Sequence, residues 1–488
     1  MTSEHVVTAD GCALAVTAVV ADGPGPVVLL RTPYGRHRLL AEARGWAARG
    51  FTCVVGDVRG RFGSTGEFRP YAHEEVDGAV LADWIAERFG GPLLVAGASY
   101  GAHCAVATAL ARPETVRGVL VSVPALGLGE TAREPGGAAR LACRLGWWTE
   151  HGGTAQPREP REYDLSGLPV AALIERALGA TPQGWDELWS APRRDERLWG
   201  RVRELRMPLL AVGGLRDPFA SHTVDLAETW GGPARLVLGP WGHDLDASDP
   251  GAALGGKRIG SLYVQWANAV LGGGIRGDAG VIAVDPHGSW RRLTPSRTRF
   301  PGLVSDAAFL ADPAKPFRSD IGFGECEDRA LVRTDPLDAG EVAGQVTVTL
   351  DVEADAVDAD WVVRLALDTG DRIVPLAHAI RRCPHEPARR REVAITTPPI
   401  GARVPAGARL VVEVAGHHWP AHARNPHTGV DPVLATELLT SARHVHAAHL
   451  DVPWQPPGAD AVPPSDLIHP PDQEVTRCPP LRRCRWSR

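Results

Sequence analysis

Short apolar runs alternate with amphipathic stretches along the first part of the chain. The apolar runs are Val27–Arg31, Phe51–Asp57, Pro92–Gly97 and Val116–Val121. Between them, positions spaced as on one face of a helix occupy approximately Arg38–Arg49, Glu74–Arg88 and Ser99–Ala111. Buried strands that alternate with helices of this length predict a parallel sheet with crossover helices. Two β-rich segments before Val27 predict a leading hairpin around Ala9–Gly11.

The alternation stops after Pro124 and resumes only at Pro208. The intervening segment is rich in Gly, Pro, Trp and Arg, with helical patches at Pro169–Ala177 and Trp185–Trp189. Strands then follow at Pro208–Gly213 and Ala234–Leu238, and a helix near Leu262–Leu271. This pattern predicts an α/β domain over 1–125 and 205–278, interrupted by a helical cap over 126–204.

From residue 279 the pattern becomes one of alternating β-rich segments separated by Gly, Pro and Asp turns. Examples are Gly344–Glu353, Trp361–Leu367 and Arg409–Ala415. Such segments predict an antiparallel sandwich or jelly roll over 279–455. The remaining residues, 456–488, are rich in proline and show no periodicity, so we expect an irregular tail.

Composition and charge exclude several classes of protein. The 488 residues include 52 basic and 58 acidic side chains, for a net charge of −6. This balance excludes a polybasic nucleic-acid binder and gives no reason to expect attraction to anionic membranes. No apolar run approaches the roughly 20 residues of a membrane span, and no secretory signal is visible. The eight cysteines form no CxxC pair, so we expect reduced thiols in a soluble, cytoplasmic protein.

The segment Gly97–Gly101 (GASYG) is the strongest chemical signal in the chain. It follows an apolar run and opens a helical pattern, which is the context of a nucleophile elbow. In such an elbow, small neighbours permit a sharp turn that raises the Ser99 hydroxyl above the sheet. The alternative is an ordinary glycine-rich strand end with Ser99 as a helix N-cap.

A serine hydroxyl needs a base to remove its proton and an acid to orient that base. Asp217 follows the strand Pro208–Gly213, and His243 follows the strand Ala234–Leu238. Alone, Asp217 could initiate a turn with Pro218, and His243 could belong to an exposed loop. Together they follow Ser99 in the order Ser, Asp, His at successive strand ends, which predicts a catalytic triad of Ser99, Asp217 and His243.

With these motifs the chain resembles the cocaine esterase/NonD (CocE/NonD) family of serine hydrolases, related to X-prolyl dipeptidyl peptidases and α-amino acid ester hydrolases. The resemblance covers about residues 5 to 455. Besides the three triad segments, it rests on RTPYG at 31–35, DVRGRFGSTG at 57–66, TDPL at 334–337, the pair Asp360 and Trp361, and NPHTG at 425–429. The family implies an α/β-hydrolase fold with a helical cap and a C-terminal, galactose-binding-like jelly roll.

The family also implies an oxyanion hole made of a tyrosine hydroxyl and the backbone N–H after the nucleophile. Carried over, these donors are the hydroxyl of Tyr34 and the N–H of Tyr100; the alternative for Tyr34 is a packed core tyrosine. Recognition of a substrate ammonium, as in an aminopeptidase, needs placed carboxylates. The nearest candidates, Asp186 and Glu187, fit a solvated helix face at least as well.

Aromatic and histidine residues give two further expectations. Trp147, Trp148 and Trp241 are candidates for the walls of a substrate pocket, although the tryptophans of the cap could equally anchor it to the core. The cluster His417, His418, His422 and His427 has the ligand type of a zinc site. It aligns with a family loop that has no metal role, so we expect no metal and no other cofactor.

The sequence therefore predicts a serine hydrolase that cleaves an ester or amide of a small-molecule or short peptide-like substrate through an acyl-enzyme. The same triad would serve an acyltransferase or transesterase, or an X-prolyl dipeptidyl peptidase, and a non-catalytic binding protein is the alternative from another class. We expect no nucleic-acid or membrane partner, and a homodimer remains open.

Overall fold

The computed structural model describes residues 1–245, 253–275, 280–305, 307–324 and 328–468. Within them the chain forms a mixed α/β layer, a helical layer inserted into it, and a C-terminal all-β layer. None of the described helices is long and apolar enough to cross a bilayer. Five cysteines lie in the described part as free thiols: Cys12, Cys53, Cys104, Cys143 and Cys383.

The α/β layer is built on a sheet of eleven described strands in the order β1-β2-β4-β3-β5-β6-β7-β8-β9-β10-β21. The strands are β1 Thr2–Val7, β2 Ala13–Val19, β3 Val27–Thr32, β4 Thr52–Asp57, β5 Leu93–Ala98, β6 Val116–Ser122, β7 Leu209–Gly214, β8 Ala234–Gly239, β9 Val281–Ala283, β10 Trp290–Arg292 and β21 Ala461–Val462. Strands β3 to β9 pair in parallel, and antiparallel strands flank them on both sides. The predicted parallel sheet and leading hairpin are confirmed.

Helices cover both faces of this sheet because alternate strand residues point to opposite sides. They are α1 Leu40–Ala47, α2 Glu74–Phe89, α3 Tyr100–Ala111, α9 Ala220–Thr229 and α10 Ile259–Leu271. On β3, Val27 and Leu29 belong to the core under α2, α3 and α9, whereas Val28 and Leu30 belong to the core under α1 and α10. Burial on both faces explains why the central strands are continuous Val and Leu runs.

The helical layer is formed by the chain segment that follows β6 and precedes β7, and it contains five described helices. They are α4 Leu128–Ala132, α5 Ala142–His151, α6 Leu173–Leu178, α7 Trp185–Ser190 and α8 Glu196–Val202. Trp148, Trp185 and Leu188 form the centre of its own core, which also includes Ala423 and Val433 of the C-terminal layer. The cap therefore shares its core with the C-terminal layer.

The C-terminal layer contains ten described antiparallel strands. They are β11 Thr298–Ser305, β12 Ala308–Ala311, β13 Ala330–Arg333, β14 Gly340–Ala354, β15 Asp358–Asp368, β16 Ile373–Pro384, β17 Arg391–Val404, β18 Arg409–Ala415, β19 Ser441–Val452 and β20 Trp454–Gln455. Strand β11 pairs with β19 at one end and with β13 at the other, which joins the two halves of a sandwich. Alternate residues of β14, such as Val348 and Leu350, fill the space between the halves.

The expectation of an irregular tail over 456–488 is wrong for its first part. Ala461–Val462 forms strand β21, which pairs with β10 at the edge of the first sheet. Leu467 and Ile468 are buried in the core under α1 and α10. Hydrogen bonds from Arg235 to the carbonyls of Asp466 and Leu467 add to these apolar contacts, and no periodicity of the sequence indicates either. Residues 469–488 lie outside the described part of the chain.

Candidate active site

Ser99 lies in a sharp turn between β5 and α3, with φ 53° and ψ −121°. A Cβ atom on Gly97 would come within 2.1 Å of the carbonyl oxygen of Gly101, so only glycine fits there. The N–H of Ser99 donates to the carbonyl of Ser122 at 3.0 Å, which ties the turn to the next strand. The left-handed backbone at a residue other than glycine is the strained geometry expected of a nucleophile elbow.

Asp217 lies just beyond the end of β7, and its carboxylate is buried. Its N–H donates to the carbonyl of Gly214 at 3.1 Å, and its Oδ1 accepts from the N–H of Phe219 at 3.1 Å. These bonds fix the position of the carboxylate, whose side chain is fully removed from solvent.

His243 lies on the loop after β8 and joins the other two residues. Its Nδ1 is 2.8 Å from Oδ1 of Asp217, and its Nε2 is 2.9 Å from Oγ of Ser99. An ionised carboxylate can only accept, so Nδ1 carries the hydrogen and the neutral ring has a free lone pair on Nε2 for the serine hydroxyl. The structure thus brings together the three residues predicted from the sequence, in the geometry that a nucleophile and its base require.

Tyr34 lies in the loop after β3, and its hydroxyl is at the same site. The indole Nε1 of Trp147 donates to this hydroxyl at 3.1 Å. Burial raises the pKa of Tyr34, and the neighbouring side chains of Trp147 and Ser99 offset this in part. The phenol is therefore a neutral hydrogen-bond donor at ordinary pH.

The loop that carries Tyr34 is held by Asp57, the first residue of the DVRGRFGSTG segment at 57–66. The carboxylate of Asp57 accepts from the N–H of Arg36 at 2.6 Å and from the N–H of Gly63 at 3.1 Å. One buried carboxylate therefore ties the loop after β3 to the loop after β4, and this fixes the backbone beside Tyr34.

Tyr100 places its backbone and its side chain in different surroundings. Its N–H is the first of helix α3, a position with no acceptor within the helix. Its hydroxyl accepts from the N–H of Tyr71 at 2.8 Å and donates to the carboxylate of Glu74. Burial raises the pKa of Glu74, against the hydrogen bond from Tyr100 and the charge of Arg31. Only the backbone of Tyr100 is thus free to serve a bound substrate.

The three tryptophans proposed for a pocket lie in three different places. Trp147 is half-buried beside the site, with its ring stacked on Tyr100 at 6.1 Å between centroids. Trp148 points into the core of the cap against Trp185 at 5.9 Å. Trp241 is fully buried under the sheet against Trp290 at 5.9 Å. The pocket expectation is therefore corrected for Trp148 and Trp241, and it stays a prediction for Trp147.

Residues that sequence reasoning missed also surround the site. The ring of Phe219 contacts the His243 ring edge-on at 5.6 Å, and the guanidinium carbon of Arg144 lies 5.5 Å from the centre of the Phe219 ring. Arg144 and Trp147 lie three residues apart on α5, so they share a helix face. Their spacing of three residues could have indicated that Arg144 and Trp147 share a face, but the sequence pattern did not predict helix α5.

The candidate carboxylates for an ammonium site face solvent. Asp186 and Glu187 are exposed on α7, and Glu187 lies 3.6 Å from Arg69. They belong to a solvated helix face.

One group of described side chains has the composition of a metal site. Donor atoms of Glu134, His378 and His422 lie within 4.8 Å of one another, and two imidazoles with one carboxylate suit a divalent transition metal. Arg140 already donates to both oxygens of Glu134, at 3.0 Å each, which opposes a second cation there. His418 contacts His422 through the Nδ1 atoms at 3.2 Å, and the buried rings of His417 and His427 pack together at 5.3 Å. That the protein needs no metal stays a prediction.

Two protein-family models match the chain. The model described as X-Pro dipeptidyl-peptidase (S15 family) matches residues 10–244, and that of the X-Pro dipeptidyl-peptidase C-terminal non-catalytic domain matches residues 325–451. A cocaine esterase from Rhodococcus sp. (strain MB1 Bresler) is 27% identical over 552 aligned positions, which cover 90% of this chain and 94% of that protein.

Solved structures share the whole architecture. An aminopeptidase from the marine sediment archaeon Thaumarchaeota archaeon has a TM-score of 0.76 at 18% identity, covering 92% of this chain and 96% of its own. An α-amino acid ester hydrolase has a TM-score of 0.75 at 19% identity, with coverages of 93% and 96%. A CocE/NonD family hydrolase from Staphylococcus aureus has a TM-score of 0.63 at 13% identity, with coverages of 92% and 93%. At these identities the likeness establishes the fold.

Proposed function

We propose that this chain, which belongs to the cocaine esterase/NonD group of serine-type hydrolases, cleaves an ester or amide of a small molecule through an acyl-enzyme. The premise is that the chain carries both X-Pro dipeptidyl-peptidase domains and resembles a cocaine esterase along its length. In this proposal Ser99 is the nucleophile, His243 the base, and Asp217 the residue that orients His243. The observation that supports it most is the continuous hydrogen-bonded series from Ser99 through His243 to the buried Asp217.

The first half of the proposed reaction forms the acyl-enzyme. As Oγ of Ser99 bonds to the substrate carbonyl carbon, Nε2 of His243 takes the hydroxyl proton, and Asp217 stabilises the resulting imidazolium. The carbonyl oxygen becomes an oxyanion that accepts from the hydroxyl of Tyr34 and the N–H of Tyr100. The bond from the carbonyl carbon to the leaving oxygen or nitrogen then breaks, and His243 returns the proton to the departing alcohol or amine.

The second half releases the acid. A water molecule gives its proton to His243 as it bonds to the acyl carbon, and the same two donors hold the new oxyanion. When the bond to Oγ breaks, His243 returns the proton to Ser99. The exposed fraction of the His243 side chain, 35%, leaves the base within reach of water or of another acceptor.

A fluorophosphonate probe tests the nucleophile directly. We expect labelling of the purified protein at Ser99, mapped by mass spectrometry, and turnover of short-chain p-nitrophenyl esters. Both should be lost in Ser99→Ala, and turnover should be lost in His243→Ala. Ser166→Ala is the matched control, because Ser166 is an exposed serine of the cap whose hydroxyl donates to its neighbour Asp164; it should retain labelling and turnover.

Other outcomes separate the alternatives. Labelling at Ser99 without ester turnover would indicate an acyltransferase, whose acceptor is an alcohol or amine in place of water. Release of N-terminal dipeptides from X-Pro peptides would indicate the peptidase. Absence of labelling in folded protein would contradict the serine mechanism and favour a binding protein.

A further inference from the structure

Arg144 is a buried guanidinium for which the described part of the chain provides no counter-charge. The residue is only 8% exposed, and its Nε has no hydrogen-bond partner. No described carboxylate lies within ion-pair distance of it. Arg140, four residues earlier and just before helix α5, is 2% exposed and fully engaged: it donates to both oxygens of Glu134 and to the carbonyl of Pro218. The contrast shows that the fold pairs one of the two arginines and leaves the other unpaired.

The unpaired guanidinium adjoins the candidate nucleophile. On one side it lies over the ring of Phe219, whose edge contacts His243. On the other side, its helix places Trp147 against the hydroxyl of Tyr34, and the charge of Arg144 also acts on the hydroxyls of Tyr34 and Tyr71. Arg144 is therefore separated from the base by one aromatic ring, and it lies one helical turn from the tryptophan that contacts the predicted oxyanion donor.

A buried charge without a partner is costly, and proteins normally pair it. Arginine presents a planar fork of N–H donors that matches a carboxylate with two parallel hydrogen bonds. A bound carboxylate would supply the counter-charge that the chain itself does not provide. A substrate ammonium at the same position would be repelled.

We propose that Arg144 binds a carboxylate of the substrate, so that the preferred substrates are esters or amides that carry a second, free carboxylate near the scissile bond. This inference rests on the proposed function of Ser99. The proposed substrate thus carries a free carboxylate where an aminopeptidase substrate would carry a free ammonium.

Matched substrates test the proposal. Monoethyl esters of four- to six-carbon dicarboxylic acids are compared with ethyl esters of monocarboxylic acids of the same chain length, and with their ω-amino counterparts. We expect wild-type kcat/KM to be about 10- to 100-fold higher for the carboxylated esters, as for a hydrogen-bonded charge pair. A second series, with the carboxylate on the alcohol portion, shows which side of the scissile bond faces Arg144.

Substitutions separate binding from structure. Arg144→Gln should lower kcat/KM for the carboxylated esters about 10- to 100-fold more than for the neutral esters, and Arg144→Lys should retain part of the preference because it keeps a charge without the fork. Arg176→Gln, at an exposed arginine of the cap, is the matched control and should change neither. Thermal unfolding of each variant checks folding.

A second measurement does not depend on turnover. Glutarate should slow fluorophosphonate labelling of Ser99 in the wild type, and this protection should be lost in Arg144→Gln. Equal cleavage of carboxylated and neutral esters by the wild type, or equal loss of both in Arg144→Gln, would overturn the proposal and leave Arg144 with a packing role on Phe219. Failure of Ser99 labelling in every variant would instead contradict the proposed function.

Discussion

The indole N–H of Trp147 donates to the hydroxyl of Tyr34 across 3.1 Å, which links the cap to the loop beside Ser99. An indole nitrogen can only donate, so the phenol oxygen accepts this bond and its own hydrogen is free to point elsewhere. Burial raises the pKa of Tyr34, so the phenol keeps the hydrogen that it can donate. The cap residue thus fixes the direction in which the Tyr34 hydroxyl donates.

Replacing Tyr34 with phenylalanine removes this donor and keeps the ring. If Tyr34 stabilises the oxyanion, kcat for an ester should fall about 100- to 1000-fold, with a much smaller change in KM, because the charge develops only in the transition state. Steady-state kinetics measures both. Tyr163→Phe, at a half-buried tyrosine of the cap, is the control and should retain activity. A fall in kcat of less than threefold in Tyr34→Phe would show that Tyr34 is only a packing residue.

Replacing Trp147 with phenylalanine keeps an aromatic ring on Tyr100 and removes the indole N–H. We expect kcat to fall about 3- to 10-fold, the effect of one neutral hydrogen bond, since the Tyr34 hydroxyl loses its fixed orientation. In a Tyr34→Phe background the same substitution should have little further effect, because the bond is already absent. Fully additive losses in the double variant would contradict the role assigned to Trp147.

A buried ion pair joins the two large layers. Nε of Arg291 on β10 is 2.5 Å from Oε2 of Glu341 on β14, and Nη2 is 2.7 Å from Oε1. Both side chains are at most 7% exposed. Glu341→Gln leaves the guanidinium buried without its counter-charge, so the free energy of unfolding should fall by about 3–5 kcal/mol.

Chemical denaturation measures this loss in the free energy of unfolding. Glu386→Gln is the matched control, because Glu386 pairs with Arg389 on the surface with both side chains at least 69% exposed. Its removal should cost less than about 1 kcal/mol. Similar losses in the two variants would indicate that the layers are not coupled through Arg291.

The positions of Ser99, Asp217 and His243 could be predicted because each follows a buried strand of a parallel sheet. The carboxyl ends of such strands share one edge, so order along the chain becomes proximity in space. The same rule does not give the direction of a side chain. Trp241 lies two residues from His243, but its ring covers Gly239, where a Cβ would come within 2.2 Å of it. It therefore packs under the sheet and away from the site.

The contribution of the cap could not be predicted to the same extent. Helix α5 carries Arg144, Trp147 and Trp148, but its apolar positions are few and the helix is short. Its placement depends on Ala423 and Val433, far away in sequence. The pairing of Val462 with Trp290 is likewise a tertiary contact that no local pattern indicates.

Several histidines are held in the neutral form by burial. Burial lowers the pKa of His103 to about 4, and the charge of Arg31 acts in the same direction. Burial likewise lowers the pKa of His222 to about 3 and that of His427 to about 4. An unfolded histidine titrates near pH 6.5. Between pH 6.5 and 4, the unfolded chain therefore binds protons that the folded chain does not.

Because the unfolded chain binds more protons in this window, the stability that these neutral histidines contribute should be fully present above pH 6.5. The free energy of unfolding should therefore fall as the pH drops from 6.5 towards 4. Each such histidine contributes up to about 1.4 kcal/mol per pH unit. His103→Gln removes one of them, so its denaturation free energy, measured from pH 7 to 4.5, should fall less steeply by about that amount. His287→Gln, at an exposed turn position, should follow the wild-type slope. A wild-type free energy of unfolding that stays constant from pH 7 to 4.5 would contradict the prediction.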